Sequence, residues 1–166
     1  MIRLAKLDDV PAMAALMREA WQTAYDGLID PAYPPTIRAE KYIEEFTKNI
    51  SEKRERMTVY EKDGKIAGLC GGRLRPGDEF DCEIHCLYVY PVYQGQGIGS
   101  ALFAEMKEFF IAERCAWMIV FTFYGAKNNN FYTKMGGDIE RYEDGEAGGK
   151  KYPGAAFTWQ LEKFDD

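Results

Sequence analysis

The sequence lacks the features that would indicate a membrane protein or a nucleic-acid-binding protein. No apolar run in its 166 residues approaches the roughly 18 to 20 residues needed to span a bilayer. The first residues, Met1-Ile2-Arg3, lead into mixed polarity rather than into a signal peptide. Lys and Arg number 21 against 27 Asp and Glu, a net charge of −6, so there is no basic excess for nucleic acid. We therefore expect a cytoplasmic protein that binds neither membrane nor nucleic acid.

Potential metal ligands are also few. The four cysteines lie in or beside apolar segments, which is typical of buried, reduced thiols. Cys82, His85 and Cys86 are close in sequence, but on one strand they would point to alternating faces. No second ligand pair follows at the spacing of a zinc site. We expect no metal site.

The overall composition is that of a globular protein. With 46% hydrophobic and 29% charged residues, the chain is long enough to bury a core as one domain spanning residues 1–166. No repeat, low-complexity tract or long linker divides it. We expect a single domain.

Hydrophobic periodicity predicts the order of the elements. It indicates a strand at 2–6, helices at about 8–25 and 36–49, strands at 57–61, 65–74 and 80–90, a helix at about 97–114, a strand at 116–123, a short helix at about 128–135, and closing strands at 138–142 and 155–162. Asp8 or Asp9 is expected to cap the first helix. The nearly continuous apolar run at 116–123 predicts a strand buried on both faces. A strand, helix and strand over 80–123 imply a right-handed parallel crossover, so the fold class is α+β with a mixed, mostly antiparallel sheet.

Three glycines at alternating positions, Gly95, Gly97 and Gly99, stand between a strand that ends at a proline and a helical run. Glycines let the backbone approach a ligand closely, and the free N–H groups at the start of a helix attract phosphate oxygens. The segment from Tyr90 to Leu102 therefore predicts a phosphate-binding turn.

Two common phosphate-binding motifs fit this turn poorly. A dinucleotide fingerprint needs Gly-x-Gly-x-x-Gly directly after the first strand, whereas here position 100 is serine and about half of the chain comes first. A P-loop needs a Gly-Lys-Ser or Gly-Lys-Thr ending, which is missing from the sequence. A nucleotide-binding module is therefore the weaker alternative.

The segment Gln94-x-x-Gly97-x-Gly99, between the strand ending Leu87-Tyr88-Val89-Tyr90-Pro91 and a Ser-Ala-Leu helix, resembles the acetyl-CoA signature of the GCN5-related N-acetyltransferase (GNAT) superfamily. The segment Phe131-Tyr132-x-Lys134-x-Gly136 resembles the last motif of that family, and the predicted element order matches over the whole chain. The resemblance implies a sheet with helices on both faces, acetyl-CoA as cofactor, and an amine of a small molecule or peptide as acceptor. A catalytically silent acyl-CoA-binding or sensing protein is the alternative, and a homodimer stays open.

The resemblance also implies which residues bind the cofactor. In the family, the main chain at the positions of Leu87 and Val89 pairs with the pantetheine arm like an added strand, and the glycine turn holds the pyrophosphate. The implied cofactor-binding residues are Leu87, Tyr88, Val89, Gln94, Gly95, Gln96, Gly97, Ile98, Gly99 and Ser100. Asn128, which stands where the short helix should begin, is a further expected contact and a candidate cap for that helix.

Two catalytic residues follow from the same resemblance. Tyr132 matches the family's tyrosine that protonates the departing thiolate, and a phenol can donate while neutral; aromatic packing is its alternative role. Glu83, eleven residues before Gln94, matches the base of the histone-acetylating branch and would act through water, and His85 is a second candidate on the same strand face. For both, the alternative is a solvated or hydrogen-bonded strand residue near the sheet edge.

The segment Trp21 to Tyr42 is expected to wall the acceptor site. Its aromatic side chains, Trp21, Tyr25, Tyr33 and Tyr42, suit a cationic amine. Because no cysteine sits in a recognisable nucleophile setting, we expect direct attack rather than an acetyl-enzyme.

Overall fold

The structure is a computed structural model and describes residues 1–161. Its helices are α1 (Val10–Ala24), α2 (Ala39–Ser51), α3 (Ile98–Ala112) and α4 (Asn128–Lys134). Its strands are β1 (Ile2–Leu4), β2 (Arg56–Lys62), β3 (Lys65–Leu74), β4 (Cys82–Val89), β5 (Trp117–Phe123), β6 (Asp138–Arg141), β7 (Gly145–Ala147), β8 (Lys150–Tyr152) and β9 (Gly154–Gln160). The last residue of the predicted closing strand, 162, lies outside the described residues. Within residues 1–161, no helix combines the length and the apolar character needed to cross a bilayer.

Seven strands form one sheet in the order β1-β2-β3-β4-β5-β9-β6, and β7 and β8 form a separate hairpin. Within the described part of the chain, only β4 and β5 pair in parallel. They are connected by α3, and every other pair in this sheet is antiparallel. Helices α3 and α4 pack on one face of the sheet, while α1 and α2 pack on the other. The predicted mixed, mostly antiparallel sheet with helices on both faces is confirmed.

Strands β4 and β5 separate soon after they meet. They pair only at Cys82 with Met118 and at Glu83 with Ile119, although both strands continue for several residues. Beyond that point β4 pairs with β3 alone, and β5 pairs with β9 along its whole length. The result is a gap in the middle of the sheet.

The hydrogen-bonding pattern of β4 shows which groups face this gap. The Tyr90 N–H donates to the carbonyl of Ala67 on β3, and in an antiparallel pair the direction of the main-chain groups alternates from one residue to the next. Leu87 and Val89 therefore turn their N–H and C=O groups toward the gap. Tyr88 turns its own toward Leu69 on β3.

Glycines in β3 let α3 lie close to the sheet. A Cβ atom at Gly72 would come within 2.5 Å of the Met106 sulfur and 2.7 Å of the Phe110 ring. A Cβ at Gly68 would approach Leu102 to 3.0 Å. Since real Cβ atoms do not come this near, the glycines fix how deeply the helix packs.

Two local predictions were wrong. Asp9 does not cap α1, because its carboxylate accepts hydrogen bonds from the Arg3 guanidinium at 2.7 and 2.9 Å and from the Lys6 N–H at 2.8 Å. Strand β5 is not buried on both faces. Its Trp117 and Phe121 are 42% and 41% exposed, because α1 and α2 pack against β2, β3 and β4 instead. Between β6 and β9, where no element was predicted, the structure has the β7–β8 hairpin.

Candidate active site

The turn between β4 and α3 depends on two left-handed glycines. Gly95 has φ 77° and Gly97 has φ 81°, a backbone conformation that residues with a side chain rarely adopt. A Cβ atom at either position would meet nothing within 4 Å. The requirement for glycine at these two positions is therefore conformational rather than steric.

This turn leads directly into the start of α3. The Ala101 N–H donates to the Gly97 carbonyl at 3.0 Å, which places Ile98, Gly99 and Ser100 in the first turn, where N–H groups have no acceptor within the helix. No acidic side chain lies in this first turn. The free N–H groups and the positive end of the helix dipole favour an anionic ligand such as a phosphate group.

A cleft of about 420 Å³ runs from the gap between β4 and β5 to this helix end. It brings together most of the predicted site residues: Leu87, Tyr88, Val89, Gln94, Gly95, Gly97, Ile98, Gly99, Ser100, Asn128 and Tyr132. Gln96 does not line the cleft, and its side chain is hydrogen-bonded to Lys62 in β2.

The glycine turn is hydrogen-bonded to the end of β4 at the mouth of the gap. The Gln94 side-chain amide donates to the Val89 carbonyl at 3.2 Å, which ties the turn to the end of the strand. Because the main chain of Tyr88 faces β3, Tyr88 cannot offer its backbone to a ligand in the gap, and it contributes its side chain instead.

Tyr132 lies on α4 at the other side of the cleft. It is 4% exposed, and its ring packs against Phe157 and Trp159 at 5.5 and 5.9 Å between centroids. Burial raises the pKa of its phenol, and the neighbouring Tyr25 raises that pKa further. The hydroxyl is therefore protonated at physiological pH, so it can act as a proton donor.

Asn128 also lines the cleft, but it does not cap α4. The cap position is Lys127, which makes no side-chain cap bond. The Asn128 side-chain oxygen accepts hydrogen bonds from the Thr122 hydroxyl at 2.9 Å and the Asn129 amide at 3.0 Å. Asn129 in turn binds the main chain of Gly125 and Phe123. This asparagine pair fixes the connection between β5 and α4, and the Asn128 amide NH₂ remains as the group that a ligand could reach.

The structure leaves both candidate bases outside the cleft. Glu83 is buried where β4 still pairs with β5, and its Oε1 accepts hydrogen bonds from Arg73 at 2.8 Å and Arg75 at 3.4 Å. His85 has its Nδ1 3.1 Å from the carboxylate of Glu55. That contact raises the pKa of the His85 imidazole above its ordinary value of 6.5. Both side chains are engaged in ion pairs and neither lines the cleft.

Several residues that line the cleft have no counterpart in the sequence motifs. One group is Ala20, Thr23 and Ala24, near the end of α1. The sequence did carry a signal for this part of the cleft. These three small residues lie on one face of a helix, and small side chains let a ligand come near the helix. The charged side chains of the cleft among residues 1–161 are Lys127 and Lys134, and Lys134 belongs to the segment Phe131-Tyr132-x-Lys134-x-Gly136. They supply positive charge beside the helix end.

Three of the four aromatic residues predicted to wall the acceptor site lie together at the end of α1. The Tyr25 ring is 4.7 Å from that of Trp21 and 5.0 Å from that of Phe123, and Tyr33 also packs on Trp21. Tyr42 is not part of this cluster. It stacks on Phe46 in the core beneath α1 and α2.

A mixed sheet with helices on both faces, and a glycine turn that leads from β4 into the start of α3, are features that the resemblance to the N-acetyltransferases implied. The comparison with protein families agrees, since residues 14–137 match the model of the acetyltransferase (GNAT) family. The chain belongs to this family. The assignment confirms the predicted acetyltransferase activity and acetyl-CoA as the acetyl donor.

Relatives support the assignment over the length of the chain. The chain is 26% identical to the uncharacterised N-acetyltransferase YuaI of Bacillus subtilis over 160 residues, which cover 95% of this chain and 91% of YuaI. Among solved structures it is similar to the PaiA N-acetyltransferase of Thermoplasma acidophilum in complex with coenzyme A, with a TM-score of 0.78, 19% identity, and coverage of 96% and 98% of the two chains. It is also similar to yncA of Salmonella typhimurium, solved with its cofactor acetyl-CoA, with a TM-score of 0.74, 17% identity, and coverage of 100% and 96%.

Proposed function

We propose that this protein transfers the acetyl group of acetyl-CoA to a primary amine of a small molecule or peptide by direct attack of the amine. The observation that carries the proposal is the gap between β4 and β5, since the same cleft reaches both the α3 helix end and Tyr132. The helix end suits a pyrophosphate. The main-chain groups of Leu87 and Val89 suit the amides of a pantetheine arm, which can add to a sheet edge like a strand.

Acetyl-CoA supplies an activated acyl group, and the protein's own residues bind it and handle protons. Tyr132 holds a proton at its hydroxyl and would deliver it to the departing sulfur. Lys127 and Lys134 would meet the cofactor phosphates. The four cysteines are all buried, and burial raises the pKa of each thiol, which leaves no thiolate to form an acetyl-enzyme.

The attacking amine must lose a proton, and we propose that water accepts it. No carboxylate of residues 1–161 lines the cleft, and Glu83 is engaged by two arginines. At limiting amine concentration, the rate should then follow the fraction of the amine that is neutral. This fraction rises with pH and levels off above the pKa of the amine, which is about 8 for an α-amine and about 10.4 for a lysine side chain.

The proposal is tested by measuring thiol release from acetyl-CoA with a panel of amines: an L-amino acid amide, a dipeptide, phenethylamine, spermidine and an aminoglycoside. Coenzyme A binding is measured in parallel by calorimetry. We expect tight binding of coenzyme A and release of free thiol with at least one amine. Binding without release across a broad panel would identify an acyl-CoA-binding or sensing protein, and failure to bind coenzyme A would overturn both functions.

Replacing Tyr132 by Phe tests the proton donor. We expect turnover to fall about 100-fold or more, the usual contribution of general acid catalysis, while the affinity for coenzyme A stays within a factor of two, or about 0.4 kcal/mol. The matched control is Tyr60→Phe, at a half-buried tyrosine of β2 outside the cleft. Full activity of the Tyr132 variant would remove this residue from the mechanism.

A further inference from the structure

A pair of tyrosines joins α1 to β4 beside the cleft. The hydroxyl oxygens of Tyr25, which follows α1, and Tyr88, in β4, are 2.7 Å apart, so one of the two donates a hydrogen bond to the other. Tyr25 is 6% exposed, and its ring is held between Trp21 and Phe123. The Tyr88 hydroxyl is therefore held by a partner that has little room to move.

The position of Tyr88 separates it from the residues that would bind the acetyl donor. Its side chain packs on the α1 side of the sheet, whereas the neighbouring Leu87 and Val89 pack on the α3 side. The donor is expected to use the α3 helix end and the edge of β4. The cleft continues past Tyr88 to Ala20 and Ala24 of α1, and this α1 side is the part left for the acceptor.

The chemistry of two paired phenols suits an amine. When the Tyr88 hydroxyl donates its hydrogen bond to Tyr25, the Tyr88 oxygen keeps lone pairs that can accept a hydrogen bond from an N–H of a substrate. An amine held through its N–H keeps its own lone pair free to attack a carbonyl carbon. Burial, together with the nearby Tyr25 and Tyr132, raises the pKa of Tyr88 well above its ordinary value. Tyr88 thus stays a neutral phenol, which orients the amine and does not remove its proton.

We propose that the Tyr88 hydroxyl binds the nitrogen of the acceptor amine and that Tyr25 is the positioning residue that fixes this hydroxyl. The inference rests on the proposed acetyl transfer, because it assigns the acceptor half of the same cleft. It makes acceptor binding sensitive to both hydroxyls, and it makes the binding of coenzyme A sensitive to neither.

The test compares Tyr88→Phe, Tyr25→Phe and the double variant with the control Tyr60→Phe. The probe is the panel amine with the lowest KM, or phenethylamine if none is acetylated. Its affinity for the enzyme–coenzyme A complex is measured by calorimetry, beside KM and kcat. Loss of one neutral hydrogen bond predicts that Tyr88→Phe weakens amine binding and raises the amine KM about three- to tenfold. Tyr25→Phe should have a smaller effect in the same direction, and none when added to Tyr88→Phe.

The outcomes separate this inference from the proposed function. If the wild-type protein acetylates the amine and Tyr88→Phe leaves both amine affinity and KM unchanged, the inference is overturned and the function stands. If the wild-type protein binds the amine without turnover and Tyr88→Phe weakens that binding, the inference stands and the function falls. Equal losses of amine and coenzyme A affinity would show a merely structural role for Tyr88. Absence of any amine binding would overturn the inference as well.

Discussion

Gly97 shows how a single residue can determine the affinity for a ligand. Its φ of 81° costs an ordinary L-residue about 1–2 kcal/mol, so Gly97→Ala should either strain the turn or reshape it. Reshaping moves the N–H groups at the start of α3, and we expect the dissociation constant for coenzyme A, measured by calorimetry, to rise about tenfold, which corresponds to about 1.4 kcal/mol.

Gly64→Ala is the matched control for Gly97→Ala. Gly64 has φ 73°, and a Cβ atom added there, as at Gly97, would meet nothing within 4 Å. Gly64 lies in the β2–β3 hairpin, however, and does not line the cleft. Its alanine variant should lose similar stability and keep its affinity for coenzyme A. Equal affinity losses in the two variants would show that the turn has no special role.

His85 and Glu55 link folding stability to pH. The Glu55 carboxylate raises the pKa of His85 above 6.5 in the folded protein. The contact of protonated His85 with Glu55 therefore gives its full stabilisation below the pKa of His85 in the unfolded chain, about 6.5. This stabilisation is lost as the pH rises through the higher pKa of His85 in the folded protein. In thermal unfolding, the Tm of the wild-type protein should exceed that of His85→Gln by more at pH 6 than at pH 9. A difference that stays constant across this range would refute the link.

Glu83 shows what spacing in a sequence can and cannot predict. The strand predicted at 80–90 correctly places Glu83 on β4, and the cost of burying a carboxylate means that Glu83 needs a partner there. The partners are Arg73 and Arg75, at the end of β3 and just beyond it. Only the register between β3 and β4, which pairs Arg73 with Glu83, reveals them, and that register includes a bulge that no local pattern indicates.

At the scale of elements, the contact between α3 and β3 depends on the absence of a side chain at Gly72. Gly72→Ala would push against Met106 and Phe110, which lie 2.5 and 2.7 Å from the added carbon. Overpacking of this kind costs about 1–3 kcal/mol, which we expect to appear in the free energy of unfolding measured with urea. The double variant Gly72→Ala with Met106→Leu, which removes the nearest sulfur, should recover part of the loss. No recovery would place the strain elsewhere.

The elements themselves were largely predictable, because their signals are local. Strands were predicted at 57–61 and 65–74, and the observed β3 has the predicted bounds. The two strands pair as a hairpin across Asp63-Gly64, a strong local turn signal. The β7–β8 hairpin was missed because each of its strands has only three residues, too few to show an alternation of apolar and polar side chains. The part of α1 that lines the cleft was missed for a different reason, since only tertiary packing brings Ala20 and Ala24 to β4.

At the scale of the whole molecule, the seam between β4 and β5 predicts a local response to ligand. Coenzyme A bound in the gap would pair with the main-chain groups that Leu87 and Val89 turn toward it and close the solvent access of their N–H groups. We expect hydrogen exchange at these two amides to slow on addition of saturating coenzyme A, by more than the change at Val59 in the middle of β2. Slowing that is equal at all three amides would indicate global stabilisation and would argue against binding in the gap.

The same seam has a mechanical consequence. Strand β1 lies in one half of the sheet and β9 in the other, and between the halves the strands share two residue pairs. Tension applied between residues 2 and 160 would therefore cross the junction of β4 and β5. The packing of α3 across both halves and the contacts of Tyr25 with Tyr88 and Phe123 also support this junction. A cofactor arm bonded to the edge of β4 and packed against β5 would act as a clamp. The force needed to pull the two halves apart would then report whether the cleft is filled.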